Sequence, residues 1–233
     1  MVERKVALKF VALAITVLCF SLLISGKAVT ALPMPLTTTR TNFQRAITYV
    51  KVIDKPLEAV LSELLSLRPD YIMRAYFRWD GHDFNPEILR QYVAEIKRAL
   101  PNVVVGLGQT AGAAAPDFTW PDGRQLTEAE LDSMLLKGPK GETVKHGYMA
   151  FLADVTKPTT QRFVLAWTKA LVEAGADAVD YDTPYMGAYI RVINWGEDKQ
   201  KVLGEWDETW KYIYTETKQM GAKLVVLHNG VLR

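Results

Sequence analysis

The segment Gly175-Ala176-Asp177-Ala178-Val179-Asp180-Tyr181-Asp182-Thr183-Pro184-Tyr185 combines a helix end, a short apolar run and two closely spaced carboxylates. Glycine is typical after a helix, and the run that follows predicts a buried strand. Because side chains alternate along a strand, Asp180 and Asp182 should project from the same face. A carboxylate inside a sheet is unfavourable unless it is paired, hydrogen-bonded or in a polar cleft. The pair therefore indicates an active site.

Strand and helix signals alternate on both sides of this segment. Strands are predicted at residues 71–79, 103–107, 148–155, 176–182 and 223–228. Helices are predicted before the first strand, at residues 57–65, and between the strands at residues 86–100, 158–174 and 205–220. Strands regularly separated by helices are typical of parallel βαβ units. The predicted fold is α/β: a partial or truncated (β/α)8 TIM-type barrel of about five parallel strands, preceded by an N-terminal signal or anchor helix.

Polar residues at the predicted strand ends favour a barrel over a doubly wound sheet, because barrel sites are assembled from the ends of many strands. These residues are Arg78, Asp80, Gln109, Asp154, Asp180, Asp182, His228 and Asn229. A dinucleotide-binding fingerprint is missing, since Gly106-Leu107-Gly108 matches only its first three positions. We interpret these two glycines as strand-end packing.

The N-terminus predicts export. Three basic residues precede the apolar run 10–24, and small residues follow it up to Ala31. This pattern is typical of a signal peptide over residues 1–31, with Leu32 as the first residue of the mature chain. The alternative is a retained signal anchor, a membrane tether through residues 6–25. Both place the protein outside the cytoplasm, secreted or at the cell surface, with a linker at 32–45 and the barrel domain at 46–233.

Composition argues against several other classes of protein. The 233 residues carry a formal net charge of +2 without a basic run, which argues against nucleic-acid binding. The only cysteine, Cys19, lies in the N-terminal apolar run, so no disulfide is expected in the mature domain. The three histidines, His82, His146 and His228, lack metal-ligand spacing. We therefore expect neither a metal nor a cofactor.

Two segments together carry a resemblance to a family. Leu152-Ala153-Asp154-Val155-Thr156-Lys157-Pro158, followed by a helix and then Gly175 to Asp182, resembles the third and fourth βα units of barrel-type glycoside hydrolases. The resemblance covers residues 148–186 well and 71–112 loosely. Residues 177–182 also resemble the Asp-x-x-Asp-x-Asp-x-Glu signature of chitinase-type enzymes, but Pro184 stands where their acidic Glu would be. The resemblance implies a carbohydrate substrate and carboxylate chemistry.

Glycoside hydrolysis needs two carboxyl groups, one protonated and one ionised. We predict Asp182 at the strand end as one of them, with Asp180 one layer deeper and Asp154 on an adjacent strand end as candidate partners. Asp180 has the alternative role of a buried ion pair with Arg74, and Asp154 that of a helix cap. The predicted substrate-binding residues are Arg78, Asp80, Gln109, Trp120, Tyr185, His228 and Asn229. Trp120 has the alternative of closing the 110–147 insertion onto the barrel.

The number of predicted strands is lower than the eight of a complete barrel. A sheet of five strands would leave edges unpaired, and its last strand, at 223–228, would have apolar residues without a following helix. We expect a homodimer, a second polypeptide that completes the barrel, or a truncated remnant of a longer glycosidase. The alternative function is that of an exported carbohydrate-binding protein without catalysis.

Overall fold

The computed structural model describes residues 43–49, 51–146 and 150–228. The predicted signal peptide, tether and most of the linker lie outside the described residues, as does Asn229. In the described part, no helix combines the length and apolarity needed to cross a membrane. Residues 43–45, which we had assigned to the linker, belong to the domain, because the backbone N–H groups of Gln44 and Arg45 donate to Asp70 Oδ2, both at 3.1 Å.

A five-stranded parallel sheet forms the centre of the domain, as predicted. Its strands follow the order β1-β2-β3-β7-β8. Their bounds are Ala46–Thr48 (β1), Tyr71–Arg78 (β2), Val104–Thr110 (β3), Ala178–Asp182 (β7) and Leu224–His228 (β8). All four pairings are parallel. The C-terminal ends of the strands therefore meet at one edge of a half-barrel.

The identity of the five strands differs from the prediction in one place. The segment predicted as a strand at 148–155 contributes only β6 (Ala150–Leu152), which pairs antiparallel with β4 (Ala113–Ala114) and β5 (Lys145–His146) in a separate three-stranded sheet. The fifth strand of the main sheet is instead β1, which was not predicted. With three residues, of which only Ile47 packs on the core, β1 has too weak a pattern to be recognised.

Six α-helices and a 3-10 turn at Val52–Asp54 connect the strands in the described residues. The helices are Leu57–Leu67 (α1), Pro86–Ala99 (α2), Glu128–Met134 (α3), Pro158–Glu173 (α4), Met186–Ile193 (α5) and Lys199–Gln219 (α6). Local signals fix their starts. Asn85 accepts from Ile88 N with Pro86 in the first turn, and Thr127 forms a reciprocal capping box with Glu130. The predicted starts at 57, 86 and 158 are confirmed, but the last helix begins at Lys199, six residues before the predicted start, and α5 was not predicted.

The two faces of the main sheet differ in chemistry. On β7, Val179 and Tyr181 face the helices, where the Tyr181 hydroxyl lies 2.7 Å from Thr168 Oγ1 of α4 and 2.6 Å from Thr217 Oγ1 of α6. Asp180 and Asp182 face the opposite, inner side, as alternation predicted. We call these the covered face and the inner face.

The last strand is better covered than predicted. Val225 and Leu227 pack against the core on the covered face, because α6 precedes β8 and lies over it. The prediction considered only a helix after this strand, whereas the helix before it covers these two residues. Leu224 and Val226 alternate with them and lie on the inner face.

Candidate active site

Asp182 ends β7 at the C-terminal edge of the sheet. Its Oδ1 lies 3.1 Å from Arg74 Nη2 and 3.9 Å from His228 Nδ1. Hydrogen bonds on both sides hold the backbone here, from Ala111 N to Asp182 O at 3.2 Å and from Thr183 N to His228 O at 3.0 Å. About a quarter of the Asp182 side chain is exposed, so this carboxylate is both fixed in place and accessible to a ligand.

Asp180 lies two residues deeper on the same face and is fully buried. The Tyr71 hydroxyl donates to its Oδ2 at 3.3 Å, while its Oδ1 has no hydrogen-bond partner among the described residues. Burial raises the pKa of the Asp180 carboxyl to about 6, against the lowering effects of the Arg74 charge and the Tyr71 hydrogen bond, and the charge of Asp182 raises it further. Asp180 therefore retains a proton at higher pH than an ordinary aspartate.

Arg74 reaches the inner face through an irregularity in β2. The pairing with β3 shifts between Ile72 and Tyr76, and Arg74 has a φ of 58° in the left-handed region. Simple alternation would place Arg74 on the covered face with Ile72 and Tyr76; the bulge turns it to the inner face instead. Arg74 therefore forms its ion pair with Asp182, and not with Asp180 as in the alternative role considered for that residue.

Two glycines of β3 make room for this cluster. A Cβ at Gly106 would lie 2.8 Å from the Tyr71 hydroxyl, and one at Gly108 would lie 2.8 Å from the Phe77 ring and 3.1 Å from Asp180 Cβ. Only glycine allows the side chains of β2 to cross over β3 and reach those of β7. Tyr71 was not predicted as a site residue. The available signal was the pair of glycines two residues apart on one strand, because they leave room for side chains from a neighbouring strand.

Asp154 is not on a strand adjacent to Asp182. The neighbours of β7 are β3 and β8, and Asp154 follows β6 in the separate antiparallel sheet. Its Oδ1 accepts from Thr156 N at 3.0 Å and from Thr156 Oγ1 at 2.7 Å, just before α4 begins. The prediction of Asp154 as a carboxylate partner on the next strand was therefore wrong in its geometry, and the structure places Asp154 in the turn that starts the helix.

Arg78 and Gln109, which we had predicted to bind substrate, are fully buried on the covered face. Arg78 Nη2 donates to Thr110 O and to Gln109 Oε1, and its guanidinium lies 5.2–5.4 Å from three aromatic rings, those of Phe118, Phe163 and Trp167. Gln109 Nε2 donates to Val164 O at 3.0 Å. Both side chains thus join the sheet to α4 and the insertion, on the face away from Asp182.

Two further predicted residues, Asp80 and Trp120, organise loops. Asp80 Oδ1 accepts from His82 N at 3.0 Å, and its carbonyl accepts from Thr119 N at 2.9 Å. Trp120 packs edge-to-face on Phe163 with centroids 5.1 Å apart, in the apolar cluster beneath the insertion. These contacts match the alternative in which Trp120 closes the insertion onto the barrel.

Tyr185 and two tryptophans hold the loop that follows Asp182. The Tyr185 hydroxyl donates to Asp207 Oδ1 of α6 at 2.7 Å. Trp206 Nε1 and Trp210 Nε1 both donate to the carbonyl oxygen of Pro184 at 3.1 Å. Both tryptophans are buried in the core. Together these contacts anchor the backbone directly after the exposed carboxylate.

We expect Trp206→Phe and Trp210→Phe each to lower the free energy of unfolding by about 1 kcal/mol through the lost hydrogen bond, beyond the loss of ring volume. The double variant leaves the buried Pro184 carbonyl without either indole donor. Its decrease in the free energy of unfolding should therefore exceed the sum of the two single decreases by about 1–2 kcal/mol. Urea denaturation of the four proteins measures this coupling. Additive losses would show that the shared carbonyl does not link the two residues.

In the described residues, no three His, Cys, Asp or Glu side chains converge on a point that could hold a metal ion. Of the residues predicted for the site, the structure brings together Asp180, Asp182 and His228, and it adds Arg74 and Tyr71. The resulting inner-face cluster offers a fixed, ion-paired carboxylate beside a buried one of raised pKa. Such a pair can supply an ionised group and a proton donor at one site.

No protein-family model matches this sequence, and no curated protein is significantly similar to it. Solved structures do match. The α-galactosidase TtGalA from Thermus thermophilus, in complex with stachyose, has a TM-score of 0.57 at 13% identity, over 82% of this chain and 42% of that one. The GH36 α-galactosidase AgaA from Geobacillus stearothermophilus has a TM-score of 0.52 at 9% identity, over 81% and 28%.

The glycoside hydrolase domain of PelA from Pseudomonas aeruginosa is also similar, with a TM-score of 0.50 at 11% identity, over 81% of this chain and 60% of that domain. This chain spans less than two thirds of the length of each of these proteins. At such identities the likeness concerns the fold alone. The resemblance noted in the sequence is confirmed at that level: the chain has a TIM-barrel glycosidase-like fold.

Proposed function

We propose that this protein is an exported glycoside hydrolase that acts on a polysaccharide or glycoconjugate by carboxylate chemistry. The observation that carries the proposal is the pair Asp182 and Asp180 on the inner face of β7, at the edge of the sheet where barrel enzymes have their sites. Export rests on the sequence pattern of residues 1–31, and it implies a substrate outside the cytoplasm or at the cell surface.

In this proposal the two carboxyl groups have different roles. Asp182 is the ionised group, nucleophile or base, because Arg74 holds it in an ion pair at the accessible end of the strand. Asp180, whose pKa is raised to about 6, is the proton donor, and its unpartnered Oδ1 is the atom that would carry the proton. His228, 3.9 Å from Asp182 Oδ1, is placed to contact the substrate beside it.

The test is to measure hydrolysis and binding with the same purified protein. A panel of nitrophenyl glycosides should include the α-D-galactopyranoside first, since two of the proteins similar in fold are α-galactosidases. Isothermal titration calorimetry with the corresponding unmodified saccharides measures binding. Turnover of one glycoside supports the hydrolase, and the absence of both turnover and binding would refute a carbohydrate function.

The second candidate is an exported carbohydrate-binding protein without catalysis. The complete burial of Asp180 favours it, because a proton donor must come within hydrogen-bond distance of the glycosidic oxygen. Pro184, at the position of the acid in chitinase-type enzymes, agrees with it. Binding of a saccharide without turnover of any glycoside of the panel would identify this second function.

We also propose that a second copy of the chain covers the inner face next to β8. Among the described residues, β8 pairs only with β7, and Leu224 and Val226 on its inner face are half-exposed. Burial of a few hundred Å² of apolar surface, at about 25 cal/mol per Å², would favour association by several kcal/mol.

Leu224→Lys tests this association, because Leu224 lies on the inner face at the end of β8 away from Asp182. We expect the wild-type protein to sediment as a dimer or larger species at tens of micromolar and the variant to shift towards monomer. Lys211→Leu, on the outer helix α6, is a control that should leave the sedimentation unchanged. A stable wild-type monomer at these concentrations would contradict the proposal.

A further inference from the structure

A second polar cleft lies away from the β7 carboxylates. Its volume is about 340 Å³, at the lower end of the range of about 300–1,000 Å³ found for small-molecule sites. Its wall combines the end of the insertion, the turn before α4, and the segment from α5 to the start of α6. The lining residues and the inner-face cluster are different sets, so this cleft is not part of the candidate active site.

An ion-paired arginine gives the cleft a fixed arrangement of polar groups. Arg191 Nε donates to both carboxylate oxygens of Glu197 at 3.0 Å, and Arg191 Nη1 donates to Glu205 Oε2 at 2.8 Å. The guanidinium lies 5.5 Å from the centre of the Trp206 ring. Because one planar group holds both glutamates, their remaining acceptor capacity is presented in a defined direction. Preorganised polar groups are typical of binding sites.

The charges of the lining balance. Its ionisable side chains are Lys137, Lys157, Arg191, Asp154, Glu197 and Glu205, three cations and three anions. An anionic or a cationic ligand would therefore meet as many like charges as opposite ones. A neutral ligand with many hydroxyl groups can instead donate to the carboxylates and accept from the ammonium groups.

Trp195 supplies the apolar part of the lining. It is half-buried, packs partly against the main core, and contributes to the wall of the cleft. A large, flat, partly exposed indole offers contact area with little loss of conformational freedom. A ligand that has hydroxyl groups around its rim and an apolar CH face fits both the balanced charges and the indole. A sugar ring has this shape.

We propose that this cleft binds a neutral saccharide of one or two rings, as a second carbohydrate site distinct from the β7 carboxylates. The choice of a saccharide among neutral polyols rests on the proposed carbohydrate function. Glu197 and Glu205, which Arg191 holds in place, would accept hydrogen bonds from the hydroxyl groups of the saccharide. The proposed binding involves no covalent step. A second site of this kind would hold a chain-like substrate near the barrel without taking part in its cleavage.

The experiment uses the full-length protein with Asp182→Asn, so that no probe is consumed. Melibiose, cellobiose and N,N′-diacetylchitobiose, which are disaccharides of different neutral sugars, are titrated by calorimetry and by ligand-observed NMR. We expect at least one to bind. Trp195→Ala in the same background should weaken that binding about tenfold, since it removes the apolar contact of one ring face. Trp195→Phe, which keeps a ring, should bind within about threefold of the parent protein.

Tyr212→Ala is the matched control, because Tyr212 is an exposed aromatic residue of α6 outside the cleft, and it should leave the dissociation constant unchanged. Lys157→Met removes an exposed donor without touching the core, so it tests the cleft even if Trp195→Ala fails to fold; we expect a several-fold loss of affinity. Failure of all three disaccharides to bind, or binding that neither Trp195→Ala nor Lys157→Met weakens, would overturn the proposal.

The two proposals fail in distinguishable ways. If binding depends on Trp195 and Lys157 but the wild-type protein hydrolyses no glycoside, the proposed saccharide site is supported and the proposed hydrolase activity is rejected. If the wild-type protein hydrolyses a glycoside but none of the disaccharides binds to the cleft, the hydrolase activity is supported and the saccharide site is rejected.

Discussion

Asp182→Asn should lower the turnover of the protein on its glycoside substrate by about 100-fold or more. The amide keeps the shape of the side chain but removes the negative charge, which a nucleophile or a base requires. The backbone of Asp182 is held from both β3 and β8, so the substitution should leave the surrounding strands in place. Initial rates on the best glycoside of the panel, with a melting curve for each protein, measure the effect.

Two companion variants separate the loss of the charge from a general disturbance of the site. Asp117→Asn removes an exposed carboxylate of the insertion and should leave the rate unchanged. Arg74→Met removes the guanidinium 3.1 Å from Asp182 and should reduce the rate while keeping some activity, because it affects the carboxylate only through its orientation and environment. Unchanged turnover in Asp182→Asn would eliminate Asp182 as a reacting group.

Much of the inner face could be predicted from β7 alone. Strand alternation places Asp180 and Asp182 together whatever the neighbouring strands are, so this prediction needed only the assignment of one strand. The glycine before it has a φ of 102° at Gly175, which fits a helix end, and the strand begins three residues later. Local rules of this kind are enough to predict the positions of the exposed carboxylate and of its deeper neighbour.

The partners of the two aspartates could not be predicted in the same way. The bulge in β2 interrupts period-two alternation around Arg74, while Ile72, Tyr76 and Arg78 keep the predicted covered face. A positive φ at a residue other than glycine depends on contacts across strands, here an ion pair 108 residues along the chain. Alternation alone would place Arg74 on the covered face, away from both aspartates, so its ion pair with Asp182 could not be derived from a period of two.

The strand order shows a similar limit. Residues 150–153 are apolar and match a buried strand, but their side chains pack partly against apolar residues of the insertion such as Phe118 and Met134. Backbone pairing with β2 places β1 in the sheet, and the side chains of β1 contribute few contacts with the core. The hydrophobic period and the composition of a segment indicate which side chains are buried. They do not identify a strand that is defined by backbone pairing alone.

Asp180→Asn should change how the stability of the protein depends on pH. The Asp180 carboxyl has a pKa of about 6 in the folded protein, and an aspartate in an unfolded chain has a pKa of about 3.9. The folded state therefore binds the proton more tightly, so stability falls as the pH rises between these values. The free energy of unfolding of the wild type, relative to the Asn variant, should decrease by about 2 kcal/mol between pH 4 and pH 7.

A second buried aspartate of the same segment provides a control of opposite sign. Although burial raises it, the pKa of Asp177 is lowered overall by ion pairs with Lys97 at 2.9 Å and Lys223 at 3.0 Å. The wild type relative to Asp177→Asn should therefore become more stable as the pH rises above the unfolded value, and lose that advantage in acid. Urea denaturation at pH 4 and pH 7 of the three proteins compares both effects, because other titrating groups cancel in each difference.

The sign of the Asp180 result distinguishes the two environments considered for this residue. If Asp180 were the ion-pair partner of Arg74, the alternative role considered for it, its removal would destabilise the protein most at neutral pH, as for Asp177. Because Arg74 instead pairs with Asp182, the Asp180 carboxylate at pH 7 is a buried charge whose hydrogen bond from Tyr71 does not offset its loss of solvation. Asp180→Asn should then be at least as stable as the wild type at pH 7. Parallel pH profiles for the wild type and this variant would show that Asp180 ionises like an exposed aspartate, and the proton-donor role proposed for it would be lost with that result.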